Sequence, residues 1–137
     1  MPEPFVSTLE LRAEAEATPW ARRHVRDVLN AWEVDADDID NVELAACELV
    51  TNSVHHITEA FPNIDPTRVT LTLRMEYPEL TVEVTDASRS LPMIKATVPE
   101  DAESGRGLFI VATISKDWGF YQPPSGGKVV WCIIALD

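Results

Sequence analysis

Glu48 and Asn52 stand four residues apart inside an apolar run with helical spacing that includes Val42, Ala45, Leu49, Val50 and Ile57. At i and i+4 the carboxylate and the carboxamide face the same way. A carboxamide oxygen suits Mg²⁺, a hard cation usually held by one or two protein groups while waters and phosphates complete its shell. A carboxylate beside it can orient a water or accept a proton. The same spacing also suits two polar residues on the solvent edge of an amphipathic helix, so the pair alone leaves both readings open.

Further along, a strand-like run from Leu80 to Thr85 leads into Asp86, a polar segment and Pro92. Gly105-Arg106-Gly107 then opens a second helical pattern through Leu108, Val111, Ala112 and Ile114. Glycines at a helix N-terminus let backbone amides approach an anion closely, at the positive end of the helix dipole. By itself a glycine pair fits a plain loop turn equally well.

In this order the segments resemble the ATP-binding fold of the GHKL superfamily, shared by gyrase and histidine kinases, and within it the small anti-sigma-factor serine/threonine kinases. The resemblance runs from about Pro19 to Leu136. Glu48 to His56 is similar to the family's N box, which implies Glu48 as catalytic base, Asn52 as Mg²⁺ ligand and His56 at a position often held by histidine. Val84 to Pro92 resembles the first glycine box, which implies that Asp86 accepts a hydrogen bond from the adenine amino group. Ser88 stands there in the first glycine's place. Ser104 to Val111 resembles the second box, which implies nucleotide contacts from Gly105, Arg106, Gly107 and Leu108. Gly126 to Trp131 resembles the last box, with Val129 or Val130 where many relatives carry threonine.

What the resemblance implies is a single histidine-kinase-like domain over residues 1–137 that binds ATP and Mg²⁺. Its activity would be to phosphorylate an antagonist protein on Ser or Thr while another surface holds a sigma factor. The alternative is a nucleotide-binding module that engages a protein partner without kinase turnover. A homodimer is compatible with either. The segment from Pro92 to Gly105 would form a short lid over the triphosphate.

With 137 residues the chain is long enough for one domain with a real core. A net charge of −12 disfavours a nucleic-acid partner, whose affinity comes mainly from Lys and Arg neutralising phosphates. The same charge requires local cations for ATP, namely Mg²⁺ and Arg106, with Arg89 and Lys95 read as solvated surface charges. Cys47 and Cys132 read as small buried hydrophobes. No leader pattern and no apolar run of membrane-spanning length is present, so a cytoplasmic location is expected. Adjacent His55 and His56 point apart on a helix, so with His24 they make no obvious metal site; His56 shares the Glu48/Asn52 stripe and His55 reads as surface.

To position these groups the pattern supplies strands over Phe5 to Leu11, Thr67 to Tyr77 and Glu79 to Thr85, the last two forming a hairpin. Thr18 as cap and Pro19 open a helix to about Trp32, whose apolar face is traced by Trp20, His24, Val25, Val28, Leu29 and Trp32. Asp35, Asp37, Asp38 and Asp40 form a solvated acidic helix start. A helix over Gly105 to Ser115 and strands over Trp118 to Tyr121 and Lys128 to Ala135 follow. The expected fold is an α/β (α+β) two-layer sandwich, a mixed, largely antiparallel sheet with helices on one face.

Overall fold

The computed structural model describes residues 4–60, 67–88 and 106–137. Elements run β1 (Phe5–Arg12), α1 (Ala17–Ala31), α2 (Ala36–Ala60), β2 (Arg68–Glu76), β3 (Glu79–Asp86), α3 (Arg106–Ile114), β4 (Asp117–Tyr121) and β5 (Lys128–Ala135). The strands form one sheet in the order β1-β2-β3-β5-β4, antiparallel at every described pairing.

Period-2 burial sets the inner face of this sheet. β2 buries Val69, Leu71, Leu73 and Met75, and β3 buries Leu80, Val82, Val84 and Asp86. Register carries the same face across the strands: Leu71 opposes Val84, which opposes Val130, and Leu73 opposes Val82, which opposes Cys132. These side chains share one core with Val25 and Leu29 of α1 and with Val42, Leu49 and Val50 of α2. The result is an α+β sandwich with its core between the helices and one sheet face.

On α1 the buried stripe is Ala17, Ala21, Val25 and Leu29, at i+4 steps. Trp20, expected on that face, is 58% exposed. Small residues let α1 lie close to its neighbours, and the indole falls on the flank of the contact. The helix also begins earlier than expected, after Glu16, which makes no side-chain cap. The Thr18 hydroxyl instead meets that of Thr51 on α2 at 2.9 Å. Arg22 pairs with Glu43 at 3.2 Å, and Arg26 with Asp40 at 2.8 Å and with Glu43. Asp35, Asp37 and Asp40 are exposed as expected, but Asp38 is buried, its Oδ2 accepting the Asp137 backbone N–H at 3.0 Å.

α1 ends at a turn that no glycine announces. Glu33 has φ 60°, its N–H donates to the Asn30 carbonyl, and the Val34 N–H donates to that of Leu29. This is the Schellman arrangement, with a glutamate in the left-handed position that glycine occupies without steric cost. The strain in the folded chain outweighs the extra freedom that glycine gives the unfolded one. Glu33→Gly is therefore expected to stabilise the protein by about 0.5–1 kcal/mol, read as a raised urea midpoint with an unchanged slope; a lowered midpoint would show that the turn is not strained.

Candidate functional site

Glu48, Asn52 and His56 lie at i, i+4 and i+8 on α2, all three half-buried. At 1.5 Å per residue this stripe is about 12 Å long, and each end meets a different element.

At the Glu48 end, α3 begins against α2. A Cβ on Gly107 would lie 2.5 Å from Glu48 Oε2 and 3.5 Å from Asn52 Nδ2, so any larger residue here would push the Glu48 carboxylate from this position. Asn52 Nδ2 is buried and without a hydrogen-bond partner among the described residues. The first amides of α3 have no carbonyl within their own helix to bond, and the positive end of its dipole is there. A carboxylate, an unsatisfied carboxamide and a helix N-terminus thus converge. Leu108 does not join them through its side chain, which is 3% exposed and part of the core. Gly105, Arg89, Lys95 and the expected lid lie outside the described residues, as does the Arg106 side chain.

At the His56 end stand the last residue of β3 and the first of β5. Asp86 and Lys128 oppose each other in register, and Lys128 Nζ donates to Asp86 Oδ1 at 3.2 Å. Both side chains are fully buried. The Ser88 N–H also donates to Oδ1, at 2.8 Å, while Oδ2 is buried with no hydrogen-bond partner among the described residues. Lys128 Nζ reaches His56 Nδ1 at 3.1 Å. Burial first, and then the charge of Lys128, push the His56 pKa down; the ring is neutral at neutral pH and Nδ1 accepts. Burial likewise pulls the Lys128 ammonium down, opposed by Asp86. Gly127, at φ 71°, admits this close packing, since a Cβ would lie 2.2 Å from the Asp86 carbonyl oxygen.

The structure therefore groups Glu48, Asn52 and Gly107, and separately Asp86, Ser88 and His56. Lys128 is the residue that reading the sequence left without a role. A signal for it exists: in the period-2 pattern of β5, Lys128 is in phase with the buried Val130, Cys132 and Ile134. The other histidines are engaged elsewhere. His24 bonds Ser7 Oγ at 2.7 Å, and exposed His55 pairs with Glu59 at 3.1 Å. Cys47 and Cys132 are buried, and burial pushes the Cys132 thiol up to about 11. A cavity of about 490 Å³ beside β1 and α1, lined by Leu9, Arg12, Trp20 and Arg23 among others, contains none of the grouped residues.

The donor set fits a nucleotide. A buried carboxylate oxygen lacking a partner can accept from an exocyclic amine, the glycine-faced start of α3 with Asn52 Nδ2 can donate to phosphate, and the oxygen of the same carboxamide suits a hard cation. Comparison with known proteins agrees. No curated protein matches the chain. Among solved structures, the RsbU and RsbW domains of Rv1364c from Mycobacterium tuberculosis share the fold at a TM-score of 0.71 and 16% identity. That match covers 96% of this chain but 32% of the other. The family model described as histidine kinase-like ATPase domain matches residues 11–134. The chain accordingly belongs to the histidine kinase-like ATPase domain family, a family of ATP-binding folds.

Proposed function

We infer that the chain is an ATP- and Mg²⁺-dependent regulatory protein of the anti-sigma type, one domain that phosphorylates a Ser or Thr of an antagonist protein. The observation that carries this reading is the approach of Gly107 to the Glu48 carboxylate and to Asn52 Nδ2, which sets a base and an unpaired amide donor at the mouth of an anion-binding helix. Asn52 would hold Mg²⁺ through its carboxamide oxygen, and the ion would supply charge neutralisation to the transferring phosphate. Glu48 orients the antagonist's hydroxyl and takes its proton, and the amides at the start of α3 steady the phosphates. At the other end of the stripe Asp86 Oδ2 accepts from the adenine amine, with Ser88 and His56 around it. The sigma factor and the antagonist are the partners that the motif resemblance supports. No helix of the described residues is long and apolar enough to cross a membrane.

Three outcomes follow from these roles. Chelating Mg²⁺ is expected to weaken ATP binding about tenfold or more in calorimetry, and Asn52→Ala to remove most of that dependence; equal affinities with and without the ion would exclude Asn52 as a ligand. Glu48→Gln keeps shape and hydrogen bonding but removes the base, so transfer of labelled phosphate to an antagonist should fall about a hundredfold or more at saturating ATP. Undiminished transfer by this variant would eliminate Glu48, and binding of ATP without transfer by the natural chain to any antagonist would favour the non-catalytic module. Gly107→Ala forces the end of the Glu48 side chain aside; transfer is expected to drop at least about tenfold with thermal unfolding little changed, whereas full activity would show that the Glu48 position is immaterial.

A further inference from the structure

Lys128 is 1% exposed, yet it carries an ammonium into the end of the sheet. An ammonium only donates, so both Asp86 Oδ1 at 3.2 Å and His56 Nδ1 at 3.1 Å accept from it, which leaves the His56 proton on Nε2. With the Ser88 N–H also on Oδ1, that oxygen is doubly engaged. Oδ2 remains buried and without a partner among the described residues. The carboxylate is thus presented as one oriented acceptor with its counter-charge held on the far oxygen.

We propose that Lys128 determines base specificity at the nucleotide site: by occupying Oδ1 and supplying the positive charge, it keeps Asp86 an ionised acceptor whose Oδ2 selects a 6-amino purine and rejects a 6-oxo purine. The inference rests on the reading of Asp86 as the adenine contact. An ionised carboxylate has no hydrogen to give, so a 6-oxo base sets two acceptors face to face and leaves both unpaired. Without Lys128 the same carboxyl group is desolvated and lacks a counter-ion, and such groups take up a proton. A protonated acid can donate to O6 as well as accept from an amine, so the preference between the two bases collapses. A lysine that merely braced β3 against β5 would, on removal, weaken both nucleotides alike.

The test compares ATP with inosine triphosphate by calorimetry on the full chain and on Lys128→Met and Lys128→Gln, with circular dichroism as the check on folding. The natural chain is expected to prefer ATP by about tenfold or more, the scale of discrimination by a buried polar contact. Lys128→Met should bring the ratio below about threefold. Lys128→Gln, which retains hydrogen-bonding capacity without the charge, should do the same and decides the matter if the methionine variant fails to fold. A folded variant that weakens both nucleotides but keeps the natural ratio makes Lys128 a brace and overturns the inference while leaving the site reading intact. A ratio near one in the natural chain overturns it without any variant, and no binding of either nucleotide overturns the site reading together with it.

Discussion

The buried pair of Asp86 and Lys128 is the constraint on which the arrangement of the site depends. Both side chains are withdrawn from solvent at 3.2 Å. Burying two charges carries a desolvation cost that their attraction offsets only with good geometry and further hydrogen bonds, and losing one partner typically costs about 3–5 kcal/mol. The added bonds here come from the Ser88 N–H on Asp86 and from His56 on Lys128. Because His56 belongs to α2, the pair also ties to the sheet a helix whose rotation the buried Val42, Leu49 and Val50 hold. The same rotation aims Glu48 and Asn52 at Gly107.

Part of the positive charge elsewhere is paired as well. Among the described residues Arg22, Arg26, Arg68, Lys116 and Lys128 each pair with a carboxylate. The pairs between α1 and α2 involve exposed arginines and contribute little beyond orientation, so the close fit of the Ala17, Ala21, Val25 and Leu29 stripe holds α1 in place.

The strands were legible because alternation is a local property, and β2, β3 and β5 start and end within about a residue of the boundaries their patterns suggest. The Glu48/Asn52 stripe was legible for the same reason, since helical spacing alone determines that the two share a face. Gly107 could be read as a glycine needed near a phosphate, whereas its distance from Glu48 could not, because that is a contact between helices remote in sequence. Thr18 resembled a cap by local chemistry, and a tertiary hydrogen bond to Thr51 decided otherwise. Glu33 carries no glycine-like signal for its left-handed turn. Lys128 was obscured by the sound habit of placing lysine in solvent; only its register opposite Asp86 makes burial affordable.

That register has a consequence for how the molecule distinguishes its finished state from near misses. A shift of β5 by one residue would turn Val130, Cys132 and Ile134 to the outer face and bring an uncharged neighbour, Val129 or Gly127, against Asp86. The sheet would then lose its core rows and strand a buried carboxylate in the same step. Strand alignment and the buried ion pair are thereby proofread together: a chain paired in the wrong frame lacks both the apolar surface to seat α2 and the lysine that neutralises Asp86, so an intact pair certifies correct assembly.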